Sequence, residues 1–326
     1  PTIRHCTIIS NAVSGAGAGI YLAGSSAVIS NCTIESNTAA TNGAGIYLSA
    51  LMGLDHIDGS DFYFYSIGSS ALIEKSLIQK NHAGSEGAAI YMSDHLLMNG
   101  PIAYLLSEDR TIGTPTVNRC FITQNTANNS STIYNTGSID STIENTAIVK
   151  NYTRAVQNVM ADLSIMNCTI TDNYYADTFG AAIYTVHDDT EHGSTTVKNS
   201  ILRENLPAEG QVFSYIDNSY CQIDYCAYDP IEFAYETDYT VYGTGNITNN
   251  PKTTADGHLL SDSPCIGAGT STGAPIIDRD GESRSGAIDM GCDQFVDQDN
   301  DGLGDRWELD TGSSIILQNN SDADED

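Results

Sequence analysis

Acidic side chains near the end of the chain have the types and spacing needed to hold a hard cation. The run covers residues 297–308, and positions 1, 3, 5, 7, 9 and 12 are Asp297, Asp299, Asp301, Leu303, Asp305 and Glu308. Gly302 stands where the backbone must bend sharply, and Leu303 offers a main-chain carbonyl. Calcium prefers six to eight oxygen ligands, so this spacing predicts a Ca²⁺-binding loop. The alternative is a solvated acidic tail.

A second copy of this loop begins at the end of the sequence. Asp322, Asp324 and Asp326 repeat the spacing of the first three carboxylates, and the sequence stops where the loop glycine would come. We expect these residues to be further calcium ligands and the chain to be part of a longer protein. The start at Pro1, already inside the repeat described below, favours the same expectation.

Two long insertions carry acidic and aromatic side chains that suit a sugar. They cover residues 52–66 and 94–112, and the candidate ligand-binding residues are Asp58, Asp61, Tyr63, Tyr65, Tyr104, Glu108 and Asp109. Aromatic rings stack on the apolar face of a sugar, while carboxylates accept hydrogen bonds from its hydroxyl groups. The alternative is that the two insertions pack on each other or on a neighbouring domain.

A third, shorter insertion at residues 187–193 has side chains that could hold a second cation. Its carboxylates are Asp188, Asp189 and Glu191, flanked by His187 and His192. The alternative is a solvated turn.

The charge balance narrows the class of partner. The chain has 13 Lys and Arg against 42 Asp and Glu, a formal net charge of −29, which would repel a nucleic acid backbone. The sequence contains no apolar run of the length that a membrane span requires. We therefore expect a secreted or cell-surface protein whose partners are polysaccharides or neighbouring surface subunits, with no nucleic acid partner and no membrane span within these residues.

The elements that position these residues follow from a repeat. Small side chains recur five residues before an Asn, at Cys6, Cys32, Ser76, Cys120, Thr146, Cys168 and Ser200, with Cys226 as a degenerate eighth copy. We call this position the slot. Because Ser and Thr replace Cys there, the slot requires a small side chain, and its cysteines are expected to be buried free thiols. Cys221 with Cys226, and Cys265 with Cys292, could pair as disulfides.

Each repeat contains short alternating strands, including the segments GAGIYL and GAAIYM, and its period in the twenties predicts a solenoid. Stacked coils would align an isoleucine column at Ile8, Ile34, Ile78, Ile122, Ile148 and Ile170. The same stacking would align an asparagine ladder at Asn11, Asn37, Asn81, Asn125, Asn151, Asn173 and Asn205. It would also align tyrosines at Tyr21, Tyr47, Tyr91, Tyr134 and Tyr184, either as structural stacking or as a glycan-binding stripe. We predict an all-β parallel β-helix.

With these repeats the chain resembles the right-handed parallel β-helix proteins of the pectate-lyase-like superfamily. Residues 259–270 (LLSDSPCIGAGT) and 276–295 resemble the closing segment of bacterial surface proteins with a choice-of-anchor Q type of C-terminal region, and the calcium run is similar to thrombospondin type 3 repeats. The resemblance implies a β-helix at 1–230, a cap over its open end at 231–296, and a calcium-binding repeat at 297–326. The third insertion departs from the polygalacturonase pattern because its Asp-Asp pair and His-Gly pair lie on one loop.

These observations lead to one function and two alternatives. We expect an extracellular structural or adhesive module of a larger protein, rigidified by Ca²⁺, with no catalytic residue assigned. The first alternative is a polysaccharide lyase or glycoside hydrolase acting at the face formed by residues 52–66 and 94–112. The second is a glycan-binding module that uses the same face without catalysis.

Overall fold

The structure is a computed structural model that describes residues 1–57, 61–94, 110–128, 130–137, 139–176, 180–186, 193–206, 212–215, 220–229, 240–298 and 304–305. For residues 52–57, 61–66, 110–111, 212–215 and 220 it describes the backbone alone. Short strands dominate, and they stack from coil to coil in four parallel sheets. The fold is therefore an all-β parallel β-helix, as the repeat predicts.

Strands are numbered in chain order. The first sheet comprises β1 (Thr2–Arg4), β5 (Val28–Ser30), β11 (Leu72–Glu74), β16 (Thr116–Asn118), β20 (Asp140–Glu144), β23 (Asp162–Met166), β26 (Ser194–Lys198), β29 (Tyr220–Asp224) and β31 (Thr240–Tyr242). The second sheet comprises β2 (Thr7–Ile9), β6 (Thr33–Glu35), β12 (Leu77–Gln79), β17 (Phe121–Thr123), β21 (Ala147–Val149), β24 (Thr169–Thr171), β27 (Ile201–Arg203) and β30 (Ala227–Tyr228).

A third sheet, present in the first four coils, and a fourth sheet complete the described coils. The third, shorter sheet comprises β3 (Ala12–Val13), β7 (Thr38–Ala39), β13 (His82–Ala83) and β18 (Thr126–Ala127). The fourth sheet comprises β4 (Ile20–Ala23), β8 (Ile46–Ser49), β14 (Ile90–Ser93), β19 (Ser131–Thr136), β22 (Arg154–Val159), β25 (Ile183–Val186) and β28 (Val212–Tyr215). The chain passes through the sheets in this order, and each passage forms one coil.

The interior of the solenoid is built from like residues in register. Ile34 pairs with Ile8 on one side and with Ile78 on the other, and the same column continues through Ile122, Ile148 and Ile170 to Leu202. All of these side chains except Ile8, in the first coil, are fully buried. The predicted isoleucine column is therefore confirmed, and burying it supplies the main hydrophobic stabilisation of the coils.

The bends between sheets use the left-handed backbone conformation. The turn from the first to the second sheet has a positive φ at one residue directly before the slot, as at Lys75 (φ 49°) and Arg119 (φ 57°). The turn from the second to the third sheet has another directly before the ladder asparagine, as at Lys80 (φ 54°). Non-glycine residues adopt this conformation at a cost. The hydrogen bonds of the slot and of the asparagine ladder offset that cost.

The solenoid continues past residue 230. Strand β31 pairs with β29, and the backbone N–H of Cys226 donates to Asn246 Oδ1 at 2.8 Å. Asn246 thus occupies the slot of a last, incomplete coil. No helix within the described part of the chain is both long and apolar enough to cross a bilayer.

Candidate functional site

The segment after the last coil folds back along the side of the solenoid. Asn199, at a bend between the first and second sheets, accepts from the Thr270 N–H at 2.9 Å and donates to the Thr270 carbonyl at 2.8 Å. Further along the flank, the Cys292 N–H donates to Thr169 Oγ1 at 3.1 Å. The sequence predicts a cap at residues 231–296 over the open end of the last coil. These contacts are lateral, and they lie against the second sheet.

Two arginines extend this lateral attachment to earlier coils. Arg284 donates to Asn145 Oδ1 at 3.3 Å and to the Gly291 carbonyl at 3.0 Å. Arg119, one coil further back, donates through Nε to the Arg279 carbonyl at 2.8 Å. The segment around residues 279–292, which we call the flank strap, therefore contacts bends that lie more than 100 residues earlier in the chain. It ties several consecutive coils together.

Charged side chains are concentrated under the strap. His258 lies between Asp256, 3.0 Å from Nδ1, and Asp280, 2.9 Å from Nε2, and the Arg279 guanidinium lies 2.8 Å from Nε2. Burial acts to lower the pKa of His258, but hydrogen bonds to the two carboxylates raise it to about 10. The hydrogen bond from His258 in turn holds the pKa of Asp256 well below its usual range. His258 thus bridges Asp256 and Asp280.

Three carboxylates next to this bridge approach each other closely. Carboxylate oxygens of Asp278, Glu282 and Asp293 lie within 4.8 Å of one another. In a second group, a ring nitrogen of His258 and carboxylate oxygens of Asp280 and Asp293 are equally close. Burial, followed by the negative charges of Asp278 and Asp293, raises the pKa of Glu282 to about 8. Burial also raises the pKa of Asp293 to about 6. Either group has the donor atoms of a cation site.

Asp278 organises the turn in this cluster. Its Oδ1 accepts the backbone N–H groups of Asp280, Gly281 and Glu282 at 2.8–2.9 Å, and its Oδ2 accepts the Gln294 N–H at 2.9 Å. Four donors to one fully buried carboxylate balance its charge. The role of Asp278 in the motif DRDGE is therefore to close the loop, a role that the sequence analysis missed.

A cavity of about 600 Å³ lies beside the cluster, at the start of the predicted calcium loop. It is lined by Glu282, Ser283, Ser285, Gln294, Phe295, Val296, Asp297, Gln298 and Asp305. Asp305 is buried, its N–H donates to the Val296 carbonyl, and its Oδ1 accepts the Gln298 N–H at 2.8 Å. Positions 1 and 9 of the loop therefore line one cavity. Their carboxylates suit a hard cation such as calcium.

The remaining predicted ligands of both calcium loops lie outside the described residues. They are Asp299, Asp301, Leu303, Glu308, Asp322, Asp324 and Asp326. The second-cation residues Asp188, Asp189 and Glu191 also lie outside the described residues.

The insertion face is described in part. Strands β9 (Leu51–Ile57) and β10 (Asp61–Ile67) pair antiparallel, and β10 pairs in parallel with β15 (Arg110–Thr111). The first two insertions thus leave the solenoid side by side. A Cβ on Gly68 would lie 2.2 Å from the Gly113 nitrogen, so their bases approach as closely as glycine allows.

For the predicted sugar ligands on this face, the structure gives backbone positions only for Asp61, Tyr63 and Tyr65, within β10. Asp58, Tyr104, Glu108 and Asp109 lie outside the described residues.

A shallow recess of about 200 Å³ opens on the same side, across β20, β23 and β26. It is lined by Asp140, Ser141, Thr142, Asp162, Leu163, Ser164, Ser194 and Thr196. Asp140 pairs with Asp162 in register, and Asp162 Oδ1 accepts from the Ser194 N–H at 2.7 Å and from its hydroxyl at 2.8 Å. The sequence analysis missed this recess, although the two aspartates are 22 residues apart, which is one coil of the repeat.

The tyrosine column is confirmed over four coils. Tyr21, Tyr47, Tyr91 and Tyr134 stack with ring centroids 4.9–5.3 Å apart. Gln157 interrupts the column before Tyr184. Since the ring faces of the inner tyrosines contact one another, a sugar cannot stack on them, and the glycan-binding interpretation of this stripe loses its support.

Arg154 closes the gap in the column. Its guanidinium lies over the rings of Tyr175 and Tyr184, at 4.2 Å and 4.0 Å from their centroids. It donates through Nε to the Gly180 carbonyl at 2.9 Å and through Nη1 to Gln157 Oε1 at 2.7 Å. Only 5 % of Arg154 is exposed, so the arginine is part of the fold and is not available to a ligand.

Comparisons with known proteins supply no family. No model of a protein family, no curated protein and no solved structure matches this chain.

Proposed function

We propose that this chain is an extracellular structural and adhesive module of a longer secreted or cell-surface protein. The observation that carries the proposal is the continuous internal bonding of the solenoid. Parallel sheets join coil to coil, the asparagine ladder bonds each coil to the next, and the flank strap ties several consecutive coils together. Nine stacked strands in the first sheet extend for about 40 Å at the usual strand spacing, which suits a stiff spacer.

Calcium is the cofactor of this proposal. Asp297, Asp299, Asp301, Leu303, Asp305 and Glu308 would hold one ion, and Asp322, Asp324 and Asp326 would begin a second site. A bound ion would stiffen the chain where it leaves the flank strap, and it would offset part of the net charge of −29. The cavity shared by Asp297 and Asp305 supports this assignment.

The repeats further support membership of the right-handed parallel β-helix proteins of the pectate-lyase-like superfamily. On the same basis we propose a choice-of-anchor Q-like closing segment and a thrombospondin type 3-like calcium repeat. These resemblances favour a secreted or cell-surface location, with neighbouring surface subunits or polysaccharides as partners.

The test is a mechanical one. The protein is held by its two ends in an optical trap, and the unfolding force is recorded with calcium and with a chelator. A spacer should unfold cooperatively at high force, and calcium should remove a compliant stretch at the C-terminal end. Coil-by-coil unfolding at low force would contradict the proposal.

The enzymatic alternative is tested in parallel by incubating the protein with polyuronates and neutral polysaccharides in calcium. We expect no release of reducing ends or unsaturated uronate. Catalytic turnover would replace the structural proposal with the lyase or hydrolase alternative.

Glycan binding is a second candidate function, favoured by the recess at Asp140 and Asp162. Two carboxylates and a row of hydroxyls offer hydrogen-bond acceptors and donors to a neutral sugar. A glycan microarray compares the wild type with the Asp162→Asn variant, and Asp172→Asn, an exposed change on the second-to-third-sheet bend, is the matched control. If Asp162→Asn reduces glycan binding and Asp172→Asn does not, the result supports the recess as the binding site. If neither change reduces glycan binding, the recess is excluded as the binding site.

A further inference from the structure

Three carboxylates meet where the two ends of the flank strap come together. Oxygens of Asp278, Glu282 and Asp293 lie within 4.8 Å of one another, and Asp278 and Asp293 are only 0 % and 3 % exposed. Negative charges at this separation repel one another strongly in a buried position, where water screens them poorly. The group therefore requires a compensating positive charge.

The nearby cationic side chains have other partners. The Arg279 guanidinium lies 2.8 Å from His258 Nε2 and 3.6 Å from Asp280. The Arg284 guanidinium donates only to neutral oxygens within the described chain, among them the Gly291 carbonyl at 3.0 Å. Among the described residues, no Lys, Arg or His side chain forms an ion pair with any of the three carboxylates.

The Asp293 carboxylate has an oxygen available for a ligand. Its Oδ2 accepts the Leu259 N–H at 2.8 Å, and none of the described residues donates a hydrogen bond to its Oδ1. Buried polar atoms are normally satisfied by the protein, by ordered water or by an ion. Asp278 keeps some capacity as well, because its Oδ2 accepts a single hydrogen bond, from the Gln294 N–H.

Protons can relieve the same repulsion when no cation is bound. Burial, followed by the negative charges of Asp278 and Asp293, raises the pKa of Glu282 to about 8. Burial also raises the pKa of Asp293 to about 6. Both shifts have the direction expected of carboxylates that share a site without a counter-ion. A divalent cation would compensate the charge of all three groups at once.

The neighbouring group of His258, Asp280 and Asp293 is less suited to a metal ion. The guanidinium of Arg279 already lies beside it and would repel a second cation. Burial acts to lower the pKa of His258, but hydrogen bonds to two carboxylates raise it to about 10. A protonated imidazole has no lone pair for a metal.

We propose that Asp278, Glu282 and Asp293 hold a hard divalent cation, with calcium as the expected ion. An all-carboxylate set selects such a cation over the softer transition metals. Water from the cavity that Glu282 lines can complete the coordination. The site is additional to the predicted calcium loop: Asp297 and Asp305 line that cavity, whereas Asp278 and Asp293 do not.

A cation here stabilises the attachment of the flank strap. Asp278 and Glu282 belong to the turn at the start of the strap, and Asp293 stands at its end, bonded to Leu259 beneath it. One ion therefore joins three stretches of chain that are separate in sequence. Because Arg284, within the strap, also bonds to a bend of the solenoid, the ion indirectly strengthens the hold of the strap on the coils.

The test counts the calcium ions bound to the full chain. The protein is stripped with a chelator and dialysed against calcium chloride, and bound calcium is measured by elemental analysis. Glu282→Gln should bind one ion fewer per chain than the wild type, because glutamine keeps the shape of the side chain but not its charge. The exposed change Asp172→Asn should leave the count unchanged. A count that Glu282→Gln does not lower would overturn the proposal.

Asp305→Asn distinguishes this site from the calcium loop. In an Asp305→Asn background, Glu282→Gln should again remove one ion. If Asp305→Asn alone abolishes the Glu282-dependent ion, that ion belongs to the loop and the proposal is wrong. If Asp305→Asn binds as much calcium as the wild type while Glu282→Gln loses an ion, the strap site stands and the assignment of Asp305 to the loop site fails.

Hydrogen exchange locates the ion within the fold. Calcium should slow the exchange of the Asp280, Gly281 and Glu282 N–H groups in the wild type and should have no such effect in Glu282→Gln. Asp293→Asn is a second variant, which should lose the same ion while an amide oxygen still accepts the Leu259 N–H. An equal response of the turn to calcium in the wild type and both variants would place the ion elsewhere and overturn the proposal.

Discussion

Asn125 donates both its backbone N–H and its side-chain amide to a single acceptor, Oδ1 of Asn151 in the next coil, each at 3.0 Å. Its amide also donates to the carbonyls of Ile78 and Thr123, at 3.0 Å and 2.9 Å. Asn81 makes the same pair of bonds to Asn125 Oδ1. Each ladder asparagine therefore joins three coils while it satisfies the carbonyls of a tight bend.

Removing one member of the ladder should be costly. Asn125→Ala leaves the N–H and amide of Asn81 without their acceptor, and it leaves buried carbonyls without a donor. We expect a loss of about 2–5 kcal/mol in the free energy of unfolding, since each buried polar group left without a partner costs about 1–3 kcal/mol. Urea denaturation measures the loss.

The matched control is Asn11→Ala in the exposed first coil. That change removes one side-chain hydrogen bond, to Asn37 Oδ1 at 2.9 Å, and should cost about 0.5–1 kcal/mol. Equal costs for the two variants would contradict the ladder account.

Arg154 should be a second structural residue that tolerates little change. Arg154→Met removes two cation–π contacts and the bonds to Gly180 and Gln157, and we expect a loss of about 2–4 kcal/mol. The free energy of unfolding of Arg154→Lys should lie between those of Arg154→Met and the wild type, because lysine keeps the charge without the planar guanidinium group. Lys150→Met, an exposed change nearby, should stay within about 0.5 kcal/mol. A wild-type stability for Arg154→Met would show that the aromatic column needs no cation.

The pH dependence of stability should report on Glu282. Its folded-state pKa is raised to about 8, so the folded state holds a proton that the unfolded state releases near its ordinary, lower pKa. Its contribution to stability is therefore fully present below about pH 4.3 and is lost as the pH rises through about 8. After burial, the negative charges of Asp278, Asp293 and Asp280 oppose its ionisation.

The comparison variant is Glu282→Gln, which cannot ionise. Between pH about 5 and 8 the wild type should lose several degrees of unfolding temperature relative to this variant, as read by calorimetry. Parallel profiles for the two proteins would mean that Glu282 titrates in the folded state as it does in water.

Calcium affinity should depend on Asp305 under the proposed function. We expect Asp305→Asn to weaken calcium binding by about 10–100-fold in calorimetric titration, the effect typical of disturbing a metal site. Glu282→Gln tests whether the neighbouring carboxylates share the ion, and Asp172→Asn controls for net charge. Undiminished affinity in Asp305→Asn would remove this residue from the ligand set.

The disposition of the coils could be predicted because stacking repeats one local pattern. The slot and the ladder asparagine are five residues apart in each coil, so aligning the copies also aligns Ile34 with Ile78 and Tyr47 with Tyr91. The antiparallel pairing of β9 and β10 was not predicted, because the repeat says nothing about residues that depart from it. Gln157 likewise broke the tyrosine pattern, and its partner Arg154 could be identified only from the structure.

The sequence by itself determined the parallel β-helix and its columns, because these depend on residues close together in the chain or one period apart. Only the tertiary structure decided that the flank strap lies against bends at Asn145 and Asn199. Such contacts join residues whose separation follows no fixed period. They depend on how side chains and bends meet once the coils have stacked.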